Sequence, residues 1–204
     1  MSKEAIRHLA GADRVLGRLM KKVGPYALKL RSRRSPFQAL VQSVVYQQLN
    51  GRAAATILGR VKALYPKKRF PTPEDIVATP EERLRSAGLS RAKTAALKDI
   101  AAKTIAGVVP TSRAIAKMSE AEILERLTPL RGVGPWTVEM LLIFTLGRTD
   151  VLPATDYGVR KGFALTYGLK ELPTPKELLA HGEKWRPHRT TAAWFLWRAL
   201  DLSS

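Results

Sequence analysis

The strongest constraint on what this chain can fold into is a short loop, Leu130-Arg131-Gly132-Val133-Gly134-Pro135, set between two segments of helical periodicity. Two glycines one residue apart permit positive φ and close backbone approach, while Pro135 supplies a preset φ suited to the first position of a helix. Upstream, Ser119 stands three residues ahead of Glu122 in capping-box spacing, and Ile123, Leu124 and Leu127 recur at helical intervals. The order is therefore helix, hairpin, helix. Exposed amides at a helix N-terminus bind anions, because the unsatisfied N–H groups and the positive end of the helix dipole point the same way. The backbone amides of Gly132, Val133 and Gly134 are thus candidate phosphate donors, with no side chain needed to read a base.

The rest of the chain is helical in pattern, with no clear alternating strand. Arg34-Ser35-Pro36 opens an apolar helix through Val45, Gly51 begins a second, and Pro71 to Pro73 breaks the pattern. Thr79-Pro80-Glu81-Glu82 reads as a helix start with cap, N1 proline and N3 glutamate, ended at Gly88. Ser90 caps a basic helix through Ile105, Pro110 breaks again, and Pro173 to Pro175 separates the last helical pair. The expected fold class is all-α.

Thirty-five Lys and Arg against seventeen Asp and Glu give a net charge of +18 over 204 residues, which implies a polyanionic partner more readily than an acidic small molecule. The basic residues are dispersed among apolar ones, as in a compact globule and unlike a basic tail. Cysteine is absent, which excludes disulfides, thiolate zinc sites, cysteine nucleophiles and iron–sulfur clusters. No apolar run is long enough to cross a bilayer, and the first residues lack the apolar core of a signal peptide. A cytoplasmic, nucleoid-associated monomer with no membrane partner is expected.

Together with the residues downstream of it, the loop becomes more specific. Leu130-x-Gly-Val-Gly-x-Trp-Thr-Val138 succeeded by Leu152-Pro-x-x-Asp-Tyr-Gly158 resembles the helix-hairpin-helix DNA glycosylase superfamily, and most the 3-methyladenine DNA glycosylase II branch. Residues 37–61, with their Gln47-Gln48-Leu49 turn, resemble the family's core helix pair, and residues 185–198 its C-terminal helix. The resemblance implies a two-lobed helical bundle with an active-site cleft between the lobes. The central lobe would cover about 34–129 and the second lobe 1–33 with 130–204, without an N-terminal β domain. It also implies a monofunctional DNA glycosylase acting in base excision repair on double-stranded DNA. Such an enzyme flips alkylated purines, 3-methyladenine and 7-methylguanine, out of the stack and removes them with water.

Several residue roles come with the resemblance. Asp156 matches the family's catalytic carboxylate; on its own it reads equally as a helix N-cap. Trp136, Tyr157 and Trp197 match base-pocket positions, where π faces favour a cationic purine, and Met140, one turn after Trp136, stands where relatives carry a tyrosine. Gln48 matches the intercalating wedge, though as a bare sequence feature it is a polar turn residue. Trp136 also occupies the position where bifunctional relatives place a Schiff-base lysine. A bifunctional glycosylase/lyase for oxidised bases and a non-catalytic DNA-binding module are the alternatives. No cofactor is expected and no metal, apart from a monovalent cation that relatives carry at the hairpin backbone. Asp150 reads as structural.

Overall fold

The computed structural model describes residues 3–31 and 34–202. Among these there is no strand, and the helices in the first part of the chain are α1 Lys3–Ala12, α2 Arg14–Val23, α3 Pro36–Tyr46, α4 Gly51–Ala63, α5 Pro73–Ala78, α6 Glu81–Ser86 and α7 Arg91–Ile105. Beyond them come α8 Ser112–Ile115, α9 Glu120–Leu127, α10 Pro135–Phe144, α11 Tyr157–Tyr167, α12 Pro175–Gly182 and α13 Arg189–Ala199, with 3-10 turns at Glu183–Trp185 and Leu200–Leu202. None of the described helices is long and apolar enough to cross a membrane.

Local chemistry sets most of these boundaries. Ser35, Asn50, Ser90 and Ser119 each accept the amide three residues on, and so satisfy a donor the helix cannot use itself. Two sequence expectations change. Pro73 begins α5, because Thr72 and Asp75 form a capping box around it. Thr79 does not cap α6: its hydroxyl turns back to donate to the Asp75 carbonyl at 2.7 Å and also bonds the Tyr65 hydroxyl at 2.6 Å. The residue before α6 is then Pro80, with no side-chain cap bond.

The chain divides into two compact units, one of Arg31–Leu141 and one of Met1–Leu30 with Leu142–Ser204. The division falls at Leu141, where the sequence reading sets it at 129, so the hairpin belongs with the central helices. In the first of these units α7 is the central element, packed by α3, α5 and α6. Its apolar face of Leu97, Ile100 and Ala101 is fully buried, as are Leu40, Val41, Val44 and Val45 of α3.

In the other unit α11 lies against α13, and α2 packs on both. Leu9, Leu16, Phe163, Leu178, Trp185, Phe195 and Leu196 form the core there. Gly162 of α11 abuts the backbone carbonyl of Leu196, leaving no room for a Cβ. Asp13, 4% exposed, ties this unit together. Its Oδ1 accepts the Val15 and Leu16 amides, while its Oδ2 accepts the Tyr167 hydroxyl at 2.6 Å, the Trp185 indole N–H at 3.1 Å and the Lys184 ammonium at 3.1 Å. His181 Nε2 lies 3.0 Å from the same oxygen. Burial alone would raise the Asp13 pKa, but these donors outweigh it and hold the carboxyl well below the usual carboxylate range. Burial, reinforced by Asp13, pushes the Tyr167 phenol up, so it remains a donor.

Candidate functional site

The hairpin is built as its glycines require. Gly132 has φ +75°, and a Cβ there would stand 3.0 Å from Ala96 Cβ of α7, so both the backbone conformation and the close approach call for glycine. Val133 turns inward, 4% exposed, and its amide donates to the Leu130 carbonyl at 3.0 Å. This corrects one of the three expected amide donors, since the Val133 N–H is consumed in closing the turn. Gly132 and Gly134 are exposed, and their amides make no hydrogen bond among the described residues. The Gly134 carbonyl accepts the Thr137 and Val138 amides and starts α10.

Three charged side chains of α7 brace this loop and the turn after α3. Asp99 Oδ2 accepts the Arg131 amide at 2.8 Å, and Lys103 bridges Asp99, at 3.0 Å, to the Pro129 carbonyl, at 3.3 Å. Lys93 donates to the carbonyls of Val45 and Gln47, both at 2.8 Å, and its burial lowers its pKa from the ordinary lysine value. Gln47 closes the set: its Nε2 donates to the Gly132 carbonyl at 2.9 Å and to Thr137 Oγ1 at 3.1 Å. Gln48, the expected wedge, is exposed and holds φ +54°, a conformation non-glycine residues rarely adopt. Trp136 and Met140 lie one turn apart on α10 in this same unit, both half-buried.

The remaining site residues belong to the other unit. Asp156 caps α11, its Oδ1 accepting the Val159 amide at 2.8 Å. The same oxygen accepts the Trp197 indole N–H at 2.8 Å, an interaction that motif matching, which assigns Trp197 to a base pocket, does not contain. A Cβ at Gly158 would stand 3.0 Å from Trp197 Cδ1 and 3.1 Å from Asp156 Oδ1. Glycine after Tyr157 therefore makes room for the indole to reach the carboxylate. Phe144 stacks on the Trp197 ring at 5.7 Å and 27°. Tyr157 is 63% exposed, with the Lys161 ammonium 6.0 Å from its ring centroid. Trp194 packs against Tyr26 and Phe195. Asp150 is held by Arg186 and Arg189 at 2.6 and 2.8 Å, in keeping with a structural role.

Two groups of candidate residues thus stand in separate units: the hairpin, the Gln47-Gln48 turn, Trp136 and Met140 in one, and Asp156, Tyr157 and Trp197 in the other. No cluster of three or more His, Cys, Asp or Glu that could hold a metal occurs among the described residues. The carbonyls of Pro129, Leu130, Gly132 and Gly134 each already accept a hydrogen bond from protein.

A family model described as HhH-GPD superfamily base excision DNA repair protein matches residues 41–188. The chain belongs to this family. DNA-3-methyladenine glycosylase 1 of Schizosaccharomyces pombe is 42% identical over 197 residues, covering 96% of this chain and 86% of that one. A solved structure of the S. pombe 3-methyladenine DNA glycosylase in complex with abasic DNA superposes with a TM-score of 0.91 at 42% identity, covering 96% of each chain. A DNA-3-methyladenine glycosidase structure from Bacillus halodurans gives a TM-score of 0.85 at 32% identity, over 98% of this chain and 90% of that one. Escherichia coli DNA-3-methyladenine glycosylase 2 is 24% identical over 169 residues, covering 79% of this chain and 56% of its own length. Within the family the chain therefore sides with the fission-yeast glycosylase 1, where the sequence reading places it nearest glycosylase II.

Proposed function

We propose that this protein is a monofunctional DNA glycosylase that removes alkylated purines, 3-methyladenine and 7-methylguanine, from duplex DNA in base excision repair. The observation that carries the reading is Asp156, a half-exposed carboxylate fixed at the start of α11 by the Val159 amide and the Trp197 indole. The family membership and the names of its relatives supply the substrate class.

A purine methylated at N3 or N7 is cationic, so the C1′–N9 bond breaks with its electron pair moving onto the base, which leaves neutral. Positive charge grows on the deoxyribose, and a rigidly held anion stabilises it without reorganising at that moment. Water then bonds to C1′ and loses a proton, and the sugar remains in an unbroken strand. The exposed Gly132 and Gly134 amides suit the phosphate backbone, and the +18 charge suits a polyanion. Trp136, at the position the resemblance gives to a Schiff-base lysine, cannot form a covalent link to the sugar.

Single-turnover excision from methylated DNA tests this. Asp156→Asn should lower the rate by about two to three orders of magnitude, the scale for removal of one key electrostatic group, while leaving DNA binding in place. The unmutated protein should yield no borohydride-trapped adduct and no strand scission until alkali is added. A trapped adduct, or an Asp156→Asn rate within a few-fold of the unmutated one, would overturn the proposal.

A further inference from the structure

We propose that Gln47 is a positioning residue that joins the turn bearing Gln48 to the backbone-gripping loop, so that base extrusion depends on the two moving as one piece. The inference rests on the glycosylase reading. The two residues of the Gln47-Gln48 dipeptide are held in contrasting ways. Gln48 is exposed and held at φ +54°, whereas Gln47 is half-buried and uses its side-chain amide to donate to two acceptors 85 and 90 residues away, the Gly132 carbonyl and Thr137 Oγ1. The first acceptor lies inside the hairpin and the second in the first turn of α10. A single side chain thus grips both parts of the phosphate-binding element.

The geometry around this link is built to keep it stiff. Lys93, Ala96, Asp99 and Lys103 recur at intervals of three and four along α7, so they share one face of that helix. Lys93 holds the Val45 and Gln47 carbonyls. Ala96 is the surface against which Gly132 closes. Asp99 and Lys103 hold the Arg131 amide and the Pro129 carbonyl. One helical stripe therefore backs both the turn and the loop, and Gln47 bridges the two directly. A wedge entering a base stack meets resistance of a few kcal/mol. That resistance has to be borne by whatever anchors the wedge, and here the anchor is the loop proposed to hold the phosphates.

The measurable quantity is a ratio of rates. Extrusion of a paired base needs the wedge and the grip together, whereas a lesion in an unpaired bulge is already out of the stack. Gln47→Met keeps the length and volume of the side chain and removes its two donors. The ratio of single-turnover rates, paired lesion over bulged lesion, should fall about ten-fold, the scale of one or two neutral hydrogen bonds lost. Fluorescence of 2-aminopurine placed beside the lesion should report slower unstacking in the variant. Thr137→Val, nearly isosteric, should lower the ratio by a smaller factor, and the two substitutions together should do no more than Gln47→Met alone.

Equal loss on both substrates would mark Gln47 as a plain stability residue, and no loss on either would remove it from the mechanism; either result overturns the inference. Two companions separate its failure from failure of the underlying reading. Asp156→Asn should slow excision from both substrates alike, by about two to three orders of magnitude. Gln48→Ala should lower the same ratio as Gln47→Met does. If both companions behave so and Gln47→Met does not, the coupling alone is wrong.

Discussion

At the scale of the residue, the carboxylate of Asp156 accepts from donors of different origin, the Val159 amide and the Trp197 indole among them. The Val159 amide comes with the helix itself, and the Trp197 indole comes from another helix, 41 residues on. The indole has therefore to be judged first as a donor and only then as a π surface. Trp197→Phe keeps a ring to stack on Phe144 and deletes the N–H. Loss of one hydrogen bond to a carboxylate is worth about 1.5–3 kcal/mol, so excision should fall by roughly ten-fold or more, and equally for cationic and neutral bases. Trp197→Ala should add a further loss confined to cationic bases, through the missing cation–π attraction. A substrate panel on both variants checks this; a Phe variant that discriminates by base charge would mean that the N–H is incidental.

At the scale of the element, the close seating of α11 on α13 depends on Gly162. An alanine there would drive its Cβ into the Leu196 carbonyl, which is backbone and cannot rotate away. Overpacking of this kind costs about 1–3 kcal/mol, and since Asp156 caps α11, activity should drop along with the melting temperature. Calorimetry of Gly162→Ala beside an excision assay tests both; unchanged melting would show that the helices can separate without cost. Elements were also where sequence spoke most clearly. Ser35, Asn50, Ser90 and Ser119 act within three residues, so their capping is written in local spacing. Thr79 misled for the same local reason, because its hydroxyl had a second acceptor one turn behind it. The Gln47 clasp on the hairpin, the Asp13 node and the Trp197 indole on Asp156 join residues 41 to 172 apart. No spacing rule reaches so far, and family motifs mark such positions without saying what they touch. A doubled glutamine in a turn gives at most a hint that one of the pair is structural.

At the scale of the whole molecule, stability should depend on acid through Asp13. Its folded-state pKa is depressed, so its contribution is present above the ordinary carboxylate range and is lost as pH falls below it. Melting temperature should decline from about pH 5 downward, and less steeply in Asp13→Asn. That variant should also be less stable at neutral pH by about 3 kcal/mol, because the half-buried Tyr167 hydroxyl and the buried Trp185 indole lose their anion. Parallel acid profiles for the two proteins would show that the node titrates no differently when folded. In the turn after α3, a side chain at Gln48, with φ +54°, costs about 1–2 kcal/mol of local strain that glycine would relieve, against about 0.4–1 kcal/mol of added freedom in the unfolded chain. Gln48→Gly should therefore raise the melting temperature by about 2–3 °C while depressing excision from paired DNA. Selection for heat resistance alone would erase this glutamine, so its persistence in a lineage would record the need to open DNA, and a search for thermostable variants of this protein would tend to return ones slowed on paired DNA at position 48.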